Sequence, residues 1–173
     1  MNSPNPYAPP KAPVADAVEG EETALASRGQ RLGAAFLDGL ISMIWTVPLG
    51  LAFGIWSAAF RHQTPPYRDS LAMTVIGFIL FAVVNLHFLR SNGQTIGKKL
   101  VGIRIVTLNY TVPDLDRLLG LRYGVMWGAS MIPGIGPLFS LVDILFIFGA
   151  SRRCVHDLIA GTKVVRVWQT ATP

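Results

Sequence analysis

Residues Leu71 to Leu89 read LAMTVIGFILFAVVNLHFL, an apolar run without a formal charge. A helix that crosses the hydrocarbon core of a bilayer needs roughly 20 such residues. Near its end the run also holds two polar side chains, Asn85 and His87. Its length and lack of charge predict a transmembrane helix.

The composition of the whole chain agrees with a membrane protein. Of the 173 residues, 51% are hydrophobic and only 14% are charged, whereas about 25% of residues are charged in soluble domains. This balance excludes disorder of the whole chain and argues against an ordinary soluble domain. The single cysteine, Cys154, excludes a disulfide framework.

Two further apolar regions flank this run. Residues 32–60 read LGAAFLDGLISMIWTVPLGLAFGIWSAAF, with Asp38 as their one charge, and Pro48 predicts a kink there. The segment 118–150 is too long for one ordinary span. Its centre, IPGIGP at 132–137, holds two prolines and two glycines, which strongly indicate a turn. This third region therefore predicts a helical hairpin.

The distribution of basic residues tests the number of spans. Basic residues are frequent before the first span, after the second and after the hairpin, but sparse between the first two spans and absent from the PGIGP turn. Four spans place every strongly basic stretch on one side, as the positive-inside rule requires, whereas three would not. We expect an all-α membrane protein, a four-span helical bundle with both termini cytoplasmic.

Two segments lie outside the apolar regions and differ from them. Residues 1–27 are rich in proline and acidic side chains, which predicts a disordered tail, and 169–173 form a short C-terminal tail. Residues 100–107 (LVGIRIVT) and 162–168 (TKVVRVW) are rich in β-branched residues. They are expected either to pair as a small cytoplasmic β-ribbon, with a turn at Asn109 and Tyr110, or to lie separately as amphipathic interfacial segments.

Three polar side chains inside the spans carry the functional signal. Asp38 and Asp143 are ionisable, and a charge inside a span costs roughly 2.5–3.5 kcal/mol on insertion scales. At 1.5 Å per residue, Asp38, Asn85 and Asp143 each lie about 7–10 Å from the cytoplasmic face. Three spans therefore bring polar groups to a similar depth.

Two arginines are the candidate counter-ions. Arg31 precedes Asp38 by two helical turns on the same face, and Arg122 is expected to pair with Asp38 or Asp143. The arrangement is typical either of a structural clamp, in which ion pairs fix helix packing, or of a cation or proton site. The residues alone leave both interpretations open.

Other chemistry has weaker support in the sequence. Residues 93–99, GQTIGKK, fail the phosphate-loop pattern, and Lys98, Lys99 and Arg104 are expected to contact anionic lipid head groups instead. Cys154 and His156 lie close together, but with no third ligand in view we expect no metal site. No cofactor and no nucleic-acid partner are expected.

Three blocks of the chain together resemble the RDD family of small bacterial membrane proteins. They are R31-x-x-A-x-x-x-D38, GQTIGKKLVGIRIV at 93–106, and Asp143 followed by R153-x-x-H-D-L-I-A-G-T162. The resemblance covers a membrane domain of about 28–168. Arg31 and Asp38 match the arginine and first aspartate for which the family is named, and either Asp143 or Asp157 matches the second.

The resemblance implies a multi-pass protein of the bacterial inner membrane, for which transport is the usual suggestion. We expect a transporter of small cations or protons that uses Asp38 and Asp143, with Arg31 or Arg122 as counter-ions. The alternative is a scaffold or assembly factor that docks partners through its basic cytoplasmic surface. An enzyme is not expected. The expected partners are membrane lipids and either further copies of the chain or another membrane protein.

Overall fold

The computed structural model describes residues 25–132 and 134–167. In chain order its elements are the helices α1 (Arg28–Ala52), α2 (Ile55–Phe60), α3 (Tyr67–Asn92) and α4 (Ile96–Val101), strand β1 (Ile103–Thr107), a π-helix (Arg117–Gly124), helices α5 (Val125–Ser130) and α6 (Ile135–Leu145), a 3-10 helix (Phe146–Phe148), helix α7 (Val155–Ile159) and strand β2 (Thr162–Arg166). The predicted tails at 1–24 and 169–173 lie outside the described residues. Leu25 to Ser27, also predicted as tail, pack against the sheet or cap α1.

Helices α1 and α3 are long and apolar enough to cross a membrane. Few of their side chains are buried within the protein, as expected for helices that face lipid. Ser27 and Gln30 form a capping box that fixes the start of α1. The helix includes Pro48 and ends at Ala52, and the chain then turns at Gly54, whose φ of +67° suits a residue without a side chain.

The third apolar region folds as two helical arms. The π-helix and α5 form the first arm, and α6 with the 3-10 helix forms the second, which packs against α5. Each arm is about 21 Å long at 1.5 Å per residue, whereas the hydrocarbon core is about 30 Å thick. The fold is thus mostly helical, with two candidate membrane-spanning helices and a shorter helical hairpin.

The predicted β-ribbon is confirmed, and the alternative of two separate interfacial segments is wrong. β1 and β2 pair antiparallel, with Ile103 opposite Arg166 and Thr107 opposite Thr162. The predicted first strand begins too early, because residues 100 and 101 end helix α4 and Gly102 then reverses the chain at φ +71°. Leu25 adds an isolated bridge to Val165.

The tightly packed part of the molecule surrounds this sheet. We call it the sheet end; it comprises α4, β1, β2, α7 and the adjoining ends of α1, α3 and the π-helix. Its apolar core consists of Ala26, Ala34, Leu89, Ile103, Ile105, Leu118 and Val164. The predicted site residues lie around this core, so the sheet end positions the candidate functional site.

Candidate functional site

Asp157 is the centre of a fully buried ion-pair cluster. The guanidinium groups of Arg31 and Arg122 donate to opposite oxygens of its carboxylate. The backbone N–H of Cys154 donates to Oδ2 over 3.1 Å. Arg122 also donates to Thr162 Oγ1 over 2.7 Å, which connects the cluster to β2. We call Asp157, Arg31 and Arg122 the arginine cluster.

The arginine cluster fixes the charge state of its carboxylate. Burial by itself would raise the pKa of Asp157, but Arg122 and then His156 and Arg31 outweigh it and hold that pKa well below the usual range. Asp157 is therefore ionised at any ordinary pH. Removing Asp157 would leave two buried guanidinium charges without a partner.

The partners of both arginines differ from those expected. The sequence predicts that Arg31 faces Asp38 and that Arg122 pairs with Asp38 or Asp143, but the structure assigns both arginines to Asp157. The reason lies in the tertiary structure. Helix α7 packs against the π-helix and β2 and brings Asp157 to the arginines from far along the chain. Of the two candidates for the second family aspartate, Asp157 is the one that Arg31 binds.

Asp38 is the centre of a second and less buried cluster. Thr95 Oγ1 donates to Asp38 Oδ2 over 2.5 Å, and the backbone N–H of Gly97 donates to Oδ1 over 2.7 Å. Lys98 Nζ lies 3.5 Å from Oδ2. We call Asp38, Thr95, Gly97 and Lys98 the threonine–lysine cluster. No arginine is among the partners of Asp38 in the described part of the chain.

Glycine is required at position 97 because α1 and α4 approach closely there. A Cβ at this position would collide with the backbone carbonyl of Ala34 and with the Asp38 carboxylate. The missing side chain lets the backbone N–H of Gly97 reach that carboxylate directly. The GQTIGKK segment therefore cradles a side-chain carboxylate of the same protein.

Asn85 joins the same region from α3. Its Oδ1 accepts the backbone N–H of Ile96 over 3.0 Å, and its Nδ2 donates to the carbonyl of Phe81 over 3.0 Å. Two of the three polar residues predicted at one depth, Asp38 and Asn85, thus meet the first turn of α4. The third, Asp143, belongs to a different group of side chains.

The three predicted lipid contacts differ in orientation. Lys98 points inward, with a side chain only 13% exposed, and its Nζ lies near Asp38, Thr95 and Tyr123. Lys99 is exposed, and its Nζ lies 4.3 Å from the centre of the Phe88 ring. Arg104 is half-buried, and its Nε has no hydrogen-bond partner among the described residues. Lys98 is therefore part of the candidate site rather than of the outer surface.

Asp143 pairs with His156. The imidazole Nδ1 lies 2.9 Å from Oδ1 and 2.8 Å from Oδ2 of the carboxylate, and the backbone N–H of His156 also donates to Oδ1 over 3.0 Å. Burial lowers the pKa of His156, and the nearby charge of Arg122 adds to this effect. Asp143 therefore both caps helix α7 and orients the His156 ring.

Cys154 completes a group of three potential metal ligands. One donor atom each from Asp143, Cys154 and His156 lies within 4.8 Å of the others. A cavity of about 120 Å³ is lined by all three side chains, together with Arg31, Lys98 and Arg122. Burial raises the pKa of the Cys154 thiol to about 11. Asp143 is thus the third potential ligand, which the sequence around Cys154 and His156 did not provide.

Sequence reasoning missed the residues that the chain brings together over long separations. Thr95 and Gly97 stand in a failed phosphate-loop pattern and in a block of the family resemblance, neither of which predicts their contact with Asp38, although a threonine just before a short helix is a typical N-cap. Thr95 does accept the backbone N–H of Lys98. For Thr162 and Cys154, no local pattern marks their contacts with the arginines.

Comparison with known proteins identifies relatives over most of the chain. An uncharacterized protein of Haemophilus influenzae is 26% identical over 160 residues, which cover 90% of this chain and 86% of the relative. The uncharacterized protein YckC of Bacillus subtilis is 31% identical over 140 residues, which cover 78% of this chain and 80% of YckC. No solved structure matches the chain.

The family model for RDD matches residues 25–161, a range that contains both clusters and the Asp143–His156 pair. Together with the two apolar helices, this match indicates a membrane protein. The chain belongs to the RDD family.

Proposed function

We propose that this chain transports small cations or protons across a membrane and that Asp38 is the carboxylate that exchanges partners. The observation that carries the proposal is the environment of Asp38 within α1. Its partners are a hydroxyl, a backbone N–H and a single lysine 3.5 Å away. A lysine on a flexible stem can withdraw when a cation or proton takes its place.

Asp157 serves a different purpose in this proposal. Its side chain is completely buried and two arginines bind it. Releasing it would leave buried charges without partners, which costs far more than moving one lysine. We therefore interpret the arginine cluster as the structural clamp and the threonine–lysine cluster as the working site.

The proposed topology has four spans in a bacterial inner membrane, with both termini and the sheet end in the cytoplasm. Helices α1 and α3 are the two long spans, and the hairpin of α5 and α6 would supply two short ones. The basic residues favour this orientation, because they concentrate near the sheet end. Short arms of this kind are accommodated by local thinning of the bilayer.

A single chain of this size presents too little protein surface to enclose an ion pathway. Most large apolar side chains of α1 and α3 are exposed on the single chain. We propose that further copies, or a partner membrane protein, complete the enclosure. The count of subunits is accessible from the mass of the detergent-solubilised complex.

The test of the proposed function is ion flux in liposomes that contain only this protein. Wild type is compared with Asp38→Asn and with Asp69→Asn, at matched insertion. Asp69 is a suitable control because it lies in the first turn of α3, paired with the exposed Arg68. We expect cation- or pH-driven flux in wild type and Asp69→Asn, and at least a tenfold loss in Asp38→Asn.

Two outcomes would contradict the proposal. The first is an absence of flux in folded wild type across several cations and imposed pH gradients. The second is equal flux in wild type and Asp38→Asn, which would remove Asp38 from the mechanism.

The alternative proposal is a scaffold that docks partners through a basic cytoplasmic surface. It has less direct support, because Lys98 points inward to Asp38, although Lys99, Arg90 and Arg166 are exposed at the sheet end. A scaffold predicts that Lys99→Glu releases a co-purifying partner, whereas Asp38→Asn does not. The transport proposal predicts that Asp38→Asn lowers the ion flux in liposomes and that Lys99→Glu does not.

A further inference from the structure

Three different ligand atoms converge beside the arginine cluster. A carboxylate oxygen of Asp143, the sulfur of Cys154 and a ring nitrogen of His156 lie within 4.8 Å of one another. We propose that these three side chains form a binding site for a divalent transition-metal ion of the Zn²⁺ type. The inference goes beyond the proposed function, because it concerns a different carboxylate from Asp38 and does not require transport.

The donor set selects the class of metal. Zinc binds oxygen and nitrogen at about 2.0–2.2 Å and thiolate sulfur at about 2.3 Å. Thiolate and imidazole ligands suit zinc and its neighbours in the first transition row, whereas magnesium and calcium prefer oxygen alone. The site is therefore distinct in chemistry from one for sodium ions or protons.

His156 and Asp143 need little rearrangement to bind one ion. Two ligands at about 2.0 Å around a tetrahedral metal lie roughly 3.3 Å apart. His156 Nδ1 and the Asp143 carboxylate oxygens are already 2.8 and 2.9 Å apart. A small widening lets both groups bind one ion instead of each other. The thiol of Cys154 gives its proton to solvent as it binds.

The surrounding groups resemble the supporting partners of known metal sites. Metal-binding histidines usually donate their second ring N–H to a carboxylate. With Nδ1 on the metal, His156 Nε2 faces Asp157 Oδ1 at 3.6 Å. Arg31 Nη2 lies 3.4 Å from Cys154 Sγ and would donate to the thiolate. Both partners belong to the buried arginine cluster, and a shift of a few tenths of an ångström would bring His156 Nε2 within hydrogen-bond distance of Asp157 Oδ1.

The cavity also has room for an ion together with a ligand from solvent. The cavity of about 120 Å³ is lined by all three ligands, and a water molecule occupies about 30 Å³ in the liquid, so a fourth ligand from solvent fits. A divalent ion bound by the Asp143 carboxylate and a Cys154 thiolate is neutral overall. Because a divalent ion replaces one thiol proton, binding raises the local charge beside the buried Arg31 and Arg122 by one unit, from that of the free Asp143 carboxylate to zero.

The experiment uses Co²⁺ as a visible substitute for zinc on the purified, detergent-solubilised full chain. Cys154 is the only cysteine, so a thiolate-to-cobalt charge-transfer band can come only from this side chain. We expect the band in wild type, its loss in Cys154→Ser, and at least tenfold weaker cobalt binding in Asp143→Asn and His156→Gln. His87→Gln is the matched control, since His87 lies exposed on α3 far along the chain from the site, and it should bind like wild type.

A second measurement uses only wild type, so it remains informative if a variant folds poorly. Zinc should raise the Tm of wild type and protect Cys154 from maleimide, and a chelator should reverse both effects. The inference is overturned if folded wild type shows no charge-transfer band in excess Co²⁺ and zinc gives no protection. It is also overturned if Asp143→Asn and His156→Gln bind as tightly as wild type. Asp38→Asn should keep the cobalt band even if it loses flux, which separates failure of this inference from failure of the transport proposal.

Discussion

The two carboxylates at the sheet end, Asp157 and Asp38, are held in contrasting ways. Asp157 is fully buried and binds two arginines that belong to α1 and the π-helix. Asp38 is 16% exposed and binds a hydroxyl, a backbone N–H and one lysine, all from residues of the GQTIGKK segment. The comparison teaches that two aspartates of one chain can be held by very different sets of partners. In the proposed function, this difference in partners is what separates the clamp from the working site.

The largest expected effect comes from a substitution that disrupts the arginine cluster. Asp157→Asn leaves Arg31 and Arg122 buried without a counter-charge, so we expect it to destabilise the fold by about 3–5 kcal/mol. The measurement is thermal unfolding of the purified protein in detergent, with the amount inserted in the membrane as a second readout. Asp38→Asn should stay folded and inserted. Similar losses of stability in the two variants would abolish the distinction between clamp and working site.

The next effect tests the close approach of α1 and α4. Gly97→Ala places a Cβ against the Ala34 carbonyl and the Asp38 carboxylate, and overpacking against backbone costs about 3 kcal/mol at the upper end of its usual range. The control is Gly128→Ala, because no atom lies within 4 Å of a Cβ built at that position. Unfolding curves of the two variants should differ clearly. Equal stability would show that the two helices are not held at this distance.

A smaller effect tests the Thr95 hydroxyl, which donates to Asp38 and also accepts the backbone N–H of Lys98 as the N-cap of α4. Thr95→Val keeps the shape but removes the hydroxyl that donates to Asp38, which should cost about 2 kcal/mol because the acceptor is charged. Thr95→Ser retains the hydroxyl and should recover most of the stability and of any flux. If valine and serine behave alike, the hydroxyl has no part in holding Asp38.

The smallest effect compares two adjacent lysines. Lys98→Met removes the inward partner of Asp38 and should cost about 1 kcal/mol, together with a change in the cation dependence of flux. Lys99→Met removes an exposed charge above Phe88, worth about 0.5 kcal/mol, and should leave flux unchanged. The measurement is flux against cation concentration for both variants. A larger effect from Lys99 would favour the docking surface over the transport site.

Local sequence patterns predicted the parts of this molecule that depend on local physics. The apolar run at 71–89 indicated α3, and the β-branched segments indicated either two separate interfacial segments or the β-ribbon, whose pairing is confirmed. The depth of Asp38 and Asn85 along their helices placed them at one level, and both meet the first turn of α4. These features follow from residue type and helical rise alone.

The pairings across the chain could not be predicted in this way. Arg31 and Asp38 share a helix face, yet Arg31 binds Asp157, which lies 126 residues later. No periodicity connects such distant residues, and only the packing of α7 brings them together. The same holds for Asp143, which the sequence groups with Asp38 but the fold places against His156. Long-range partners are decided by tertiary structure.

The separation between Arg31 and Asp157 also has a consequence for biogenesis. Synthesis proceeds at roughly 5–20 residues per second, so the 126 intervening residues take on the order of 6–25 s. Throughout that interval the first helix is already made while its arginine lacks its final partner. The bridge from Leu25 to Val165 closes equally late. Until Asp157 is made, Arg31 is therefore solvated by water or by lipid head groups, and the sheet end closes only once α7 and β2 have been added.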